Sequence, residues 1–327
     1  MNRRELARPG GLTKVHMERP VALLDSDGGG LRLLAELTRR LPAEDYVYLA
    51  DSARGPYGRA TVAEARLWTE QGAYFLLRFD PKVLALASHT MGALAGERLR
   101  KSFPVPVFSP CGLLARRLVE PGAYEVGAGG VPGLPGLPAG RGAGPGVVAL
   151  LASDTSLASG FYQEALAKAR ASAVPCPASE LTEALADGAA EGERGKPGAA
   201  ARLAALVEKA LAPALAAEPR VEAVLLAESA LELVAPFVRQ LLGSEVLVVS
   251  VLAQLAGEVE RLLTLAGTLR PPAGEGLRYF LASGDVERFR ERGAALYGAA
   301  LGRVVAASPG RFFEQIGTLG SPQPASG

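Results

Sequence analysis

Histidine, cysteine and tryptophan are scarce in this 327-residue chain, which holds two, two and one of them. His16 and His89, with Cys111 and Cys176, are too few for a Cys/His zinc site, so no metal is expected. Two cysteines make no disulfide framework, and both read as small buried apolar side chains. Charge of one sign is also lacking. Thirty-five Lys and Arg face 34 Asp and Glu, for a net charge of +1. They are scattered rather than striped, which argues against a nucleic-acid partner. No glycine-rich phosphate loop with a lysine occurs, and Gly28-Gly29-Gly30 lacks the dinucleotide spacing, so no cofactor is expected. The longest apolar run, Val246 to Gly257, contains Ser250 and Gln254. It falls short of the ~20 residues a spanning helix needs, so no membrane partner is expected. Residues 1–18 carry charges without an apolar segment and do not read as a secretory signal. The expected location is cytoplasmic.

Short apolar runs alternate with amphipathic stretches. Val21–Leu24, Tyr46–Ala50, Val83–Ala87 and Val105–Phe108 read as strands. Leu31, Leu34, Leu37 and Leu41 have helical spacing, and Thr61–Arg78 and the stretch up to Lys101 read as helices. This alternation predicts an α/β fold with parallel sheets covered by helices. Residues 121–146 are rich in Gly and Pro, and 187–200 in Gly and charge; both read as flexible insertions, and the end of the chain as a loose tail. After the first insertion the pattern restarts. Val148–Asp154 repeats Val21–Asp27 with one difference in seven, and Val224–Glu228 echoes Val83–Ser88. The expectation is two pseudo-symmetric α/β domains facing a cleft. Residues 20–107 plus 243–310 would form the first and 108–242 the second, with an extension at 1–19 and a tail at 311–327.

Ligands of open α/β sheets bind at the carboxyl ends of the strands. The polar residues expected there include Asp25, Ser26, Asp51, Ser52, Arg54, Tyr57, Ser88, His89, Thr90, Ser153, Thr155, Ser156, Glu228 and Ser229. Gly28–Gly30 would let a loop approach a ligand, its amides free for an anion. Taken singly, Ser, Thr and Asp also belong at such places as helix caps.

In their order these pieces resemble the glutamate racemases, within the aspartate/glutamate racemase superfamily. The resemblance rests on Leu24-Asp25-Ser26 with Gly29-Gly30-Leu31, and on Tyr48 through Gly58, where Asp51-Ser52-Ala53-Arg54-Gly55-Pro56-Tyr57-Gly58 is nearly intact. Ser153, Ser156, Ser159 and Tyr162 fit the start of the second half, Cys176-Pro177 a non-catalytic site, and Ser283-Gly284-Asp285 the closing segment. Asp27 stands where the family has Gly. The resemblance implies two catalytic cysteines; Ser88 and Glu228 stand at their positions, in Ser88-His89-Thr90 and Ala227-Glu228-Ser229-Ala230. It implies further that Asp25, Ser26, Tyr57, Gly58, His89, Thr90, Ser229 and Ala230 surround a small ligand, an amino acid or a dicarboxylate. It also admits a homodimer and the supply of D-glutamate for peptidoglycan and cell shape.

Racemisation needs two acid/base groups on opposite sides of the substrate. A thiol can serve in both roles near neutral pH, whereas a serine hydroxyl needs a neighbouring base. Three readings therefore stay open: a catalytically degenerate protein that binds a ligand; an altered proton-transfer enzyme using His89 and Glu228; and a glutamate racemase with substituted bases. Glu228 would repel an acidic substrate.

Overall fold

The runs Val21–Leu24, Tyr46–Ala50 and Val83–Ala87 become strands because each is apolar at every position and is buried on both faces, as the inner strands of a parallel sheet covered by helices must be; of Val105–Phe108 only Val107–Phe108 is strand, at the sheet edge, with Pro106 exposed. A computed structural model describes residues 18–119, 146–186 and 198–311, apart from 219, 244 and 273. Ten strands occur among them: β1 (Val21–Asp25), β2 (Tyr46–Ala50), β3 (Val83–Leu86), β4 (Val107–Phe108), β5 (Gly146–Ala152), β6 (Ala171–Pro177), β7 (Ala223–Leu226), β8 (Leu247–Val249), β9 (Arg278–Ala282) and β10 (Val304–Ala306). They form two parallel sheets, β10-β9-β2-β1-β3-β4 and β6-β5-β7-β8.

The order β2-β1-β3-β4 recurs as β6-β5-β7-β8. The register recurs too: Val21 pairs with Val83, and Val148 with Ala223. The Ala87 amide donates to Leu24 O at 2.8 Å, and the Ala227 amide to Leu151 O at 2.9 Å. The sequence echoes thus fall on equivalent strands at equivalent heights.

Helices cover both faces. The helix Leu31–Arg40 buries Leu31, Leu33, Leu34 and Leu37 and ends on Arg39 and Arg40, whose charge complements the last carbonyls. The helix Val62–Leu76 starts on a reciprocal cap, the Thr61 side chain with the Glu64 amide and the Glu64 carboxylate with the Thr61 amide. One apolar cluster runs from Leu23 and Phe280 of the first half to Leu150 and Leu225 of the second, so the two halves share a core.

The boundary drawn between 242 and 243 falls too early. Leu247–Val249 hydrogen-bonds to β7, so the second sheet runs on to Val249, and the chain returns to the first half only with the helix Leu252–Leu265. The helix packs on Leu31–Arg40. Of the stretches read as insertions, Gly146 opens β5, and Ala199 and Ala200 open a helix reaching Leu215. The rest of both, and the tail beyond 311, lie outside the described residues. Among the described residues no helix is long and apolar enough to cross a membrane.

Candidate functional site

Parallel strands put all their carboxyl ends on one side, and there the two halves meet around a cavity of about 400 Å³. Asp25, Ser26, Gly58, Ser88, Thr90, Glu228, Ser229 and Ala230 line it. Ser88 follows β3 and Glu228 follows β7, one from each half and at equivalent positions.

Asp25 is buried and fully engaged through one oxygen. Its Oδ2 accepts from the Tyr48 hydroxyl at 2.6 Å, the Gly28 amide at 2.7 Å and the Gly30 amide at 2.9 Å. The Gly29 amide donates to Asp27 Oδ1 at 3.0 Å. The three glycine amides are therefore taken by the loop's own carboxylates. The anion-binding loop expected from the sequence is corrected on this point.

Thr90 joins the halves. Its Oγ1 lies 3.1 Å from Ser153 Oγ and 3.0 Å from Ser156 Oγ, and donates to Glu228 Oε1 at 3.0 Å. Ser156 Oγ is 3.2 Å from the same oxygen. Burial pushes the Glu228 carboxyl above its ordinary range, and the hydroxyls of Ser153, Thr90 and Ser156 pull it back in part. The Ser229 hydroxyl crosses to Ala87 O at 2.8 Å.

Of the residues that the resemblance set around a ligand, two do not line the cavity. Tyr57 is fully buried; its hydroxyl binds Asp51, and its ring packs on Trp68 with centroids 5.2 Å apart. It braces the loop after β2, where Asp51 also receives Arg54 Nε at 2.8 Å and Ser283 Oγ at 2.6 Å. His89 opens the helix His89–Ser102 and turns inward, its Nδ1 2.5 Å from the Tyr162 hydroxyl. Burial lowers its pKa to about 3, so the ring is neutral at pH 7. His89 is therefore not the cleft base that the sequence offered. Cys111 lies beside it, 2.7 Å from the Tyr162 hydroxyl, and burial pushes its thiol well up. Burial likewise raises Cys176 to about 11. Neither cysteine lines the cavity, and neither supplies thiolate near neutral pH.

Asp27 is the residue sequence reasoning passed over, noting it only as a departure from Gly. It lines the cavity partly buried. Its pKa rises from 3.8 to about 7, first through burial, then through the negative charges of Asp25 and Glu228. Asp285, Arg288, Phe289 and Arg292, at and along the helix Val286–Tyr297, also line it; the sequence placed Asp285 in the closing segment but marked none of the four for the site.

The raised Asp27 pKa has a consequence for stability. The folded protein takes up this proton below pH about 7 and the unfolded chain only below about 4, so the contribution is complete at acid pH and is lost as pH rises through 7. Asp27→Asn should remove that decline and stabilise the protein at pH 8 by about 1–2 kcal/mol. A fully dry shift of this size would carry about 4, and solvent on the exposed edge screens the rest. Urea unfolding at pH 4.5 and pH 8 measures it. Equal pH dependence in variant and parent would refute it.

No family model matches the chain. The glutamate racemase of Lysinibacillus sphaericus is 27% identical over 276 residues, 84% of this chain and 92% of that protein. That of Streptococcus thermophilus is 43% identical over 89 residues, 27% of this chain and 33% of that one. Among solved structures, the glutamate racemase of Francisella tularensis subsp. tularensis SCHU S4 in complex with D-glutamate matches with a TM-score of 0.73 at 18% identity, over 90% of this chain and 99% of that chain. The glutamate racemase of Thermus thermophilus in complex with β-chloro-D-alanine matches with a TM-score of 0.69 at 25% identity, over 89% and 98%. The fold is that of these racemases.

Proposed function

We propose that this chain is a divergent member of the glutamate racemase family that binds an amino-acid-sized ligand in the cleft between its halves without interconverting the two forms of glutamate. The observation that carries the reading is the pair of equivalent strand ends. The positions after β3 and β7 both open onto the cavity, and they hold Ser88 and Glu228 where the resemblance calls for two thiols.

Ser88 acts as a helix cap, its Oγ 3.5 Å from the Met91 amide. His89, the one imidazole among the described residues, faces Tyr162, so among them the hydroxyl has no imidazole to activate it. Glu228 is held by hydroxyls of both halves. What remains is a walled cavity with Asp25 fixing its loop and Ser26, Gly58, Thr90, Ser229 and Ala230 on its surface. Its volume lies in the range of small-molecule sites. A second reading, proton transfer by carboxyls, draws on Asp27 and Glu228, whose pKa values both rise and which share the cavity.

The binding half of the proposal is tested by melting the purified protein with each D- and L-amino acid. A ligand at a hundredfold excess over its Kd stabilises the native state by about 2.7 kcal/mol, a rise of about 5 °C. At least one amino acid should give it. If none does, the protein has no such ligand and the proposal fails.

A further inference from the structure

Three features of the cavity bear on what it holds. Asp27, from the loop after β1, and Glu228, from the end of β7, bring carboxyls from both halves. The amides of Gly28, Gly29 and Gly30, which could have received a ligand carboxylate, are bonded to Asp25 and Asp27. Among the described residues no group of His, Cys, Asp and Glu could hold a metal ion. We infer that this cleft takes a small organic cation, an ammonium or guanidinium group placed against Asp27 and Glu228, and that its ligand is a basic rather than an acidic amino acid. The inference rests on the ligand-binding reading above and deepens it.

The electrostatics run the same way. Five acids line the cavity, Asp25, Asp27, Glu183, Glu228 and Asp285, against two bases, Arg288 and Arg292; Glu183 is paired with Arg59 outside it, which still leaves four acids to two bases. Both arginines lie on the helix Val286–Tyr297, so positive charge is confined to that side, where an α-carboxylate can lie. A second carboxylate, as in glutamate, would meet Asp27 and Glu228. A cation there instead offsets the burial and the repulsion from Asp25 and Glu228 that raise the Asp27 pKa, and binding it should drive a proton off Asp27 near pH 7.

Isothermal titration of the full chain with D- and L-lysine, D- and L-arginine, D- and L-glutamate and pentane-1,5-diamine tests this. A basic amino acid should bind at least 10-fold tighter than either glutamate. Its affinity should rise about 10-fold between pH 6 and pH 8.5, with proton release visible as a dependence of the heat on buffer. Asp27→Asn should weaken it at least 10-fold and flatten the pH dependence, and Glu228→Gln should weaken it as well. The diamine separates the contributions: binding as tight as lysine shows that the cation alone is read, and weaker binding shows that the α-carboxylate is read too. Either pattern agrees with a cation at Asp27 and Glu228. Preference for glutamate, or affinity that rises as pH falls, overturns the inference and leaves the ligand-binding reading standing. Binding confined to uncharged amino acids does the same. Failure of every amino acid to bind or to shift melting defeats the reading beneath it.

Discussion

Glutamate incubated with this protein in deuterated water should keep its α-proton, whichever isomer is supplied. Each positioned acid or base contributes about 10²–10⁴ in rate. Replacing both therefore costs about 10⁴–10⁸ relative to a two-thiol enzyme. At the first position Ser88 has only a hydroxyl, with a neutral His89 turned away from it. At the second, Glu228 is a carboxyl raised by burial and held by Thr90 and Ser156. Proton NMR over several days detects exchange on one side as well as full interconversion. Exchange with one isomer would assign a working base, and its loss in Glu228→Gln or Asp27→Asn would say which carboxyl it is. Exchange with both isomers would sink the non-catalytic reading.

The second large effect lies at the far end of the strands. Glu44 and Lys82 form an ion pair with side chains 2% and 4% exposed. Glu44 Oε1 also accepts the Arg270 amide at 2.8 Å, and Lys82 Nζ donates to Thr268 O at 2.9 Å. The pair thus ties the residues before β2 and β3 to the chain after the helix Leu252–Leu265. Removing one partner of a buried pair leaves the other charge uncompensated, at a cost of about 3–5 kcal/mol. Glu44→Ala should lower the melting temperature by about 10 °C. Burial already depresses the Lys82 pKa, with Glu44 holding it up. Without Glu44 the lysine sheds its proton more easily, so the deficit should shrink as pH rises toward 10. Ligand preference should not change, since the pair sits away from the cavity. A loss under 1 kcal/mol would mean that the pair contributes little.

The fold was legible because its signals are local. β1 and β3 are apolar at every position until a polar residue ends the run, and the seven-residue echo at Val148 falls in the same register as its original. β8 was missed because Leu247–Val249 open the longer apolar run to Gly257, whose later part is the helix from Leu252, and pairing with β7 is what separates the two. The site was legible wherever chain position decides placement: Ser88 and Glu228 follow strands that must end at the cleft. It was illegible wherever side-chain direction decides. His89 and Thr90 are neighbours at the start of one helix, yet Thr90 faces Glu228 and His89 faces Tyr162. The raised Asp27 pKa was out of reach for another reason. It depends in part on Glu228, two hundred positions away, which only the folded chain brings near.

The recurrence of one strand order in both halves has a consequence for handedness. Two identical groups at equivalent strand ends would present the same chemistry to both sides of a planar centre. Here the two ends carry a hydroxyl and a carboxyl. The duplicated frame thus holds an unequal pair, and a chiral guest between them meets different partners according to its configuration.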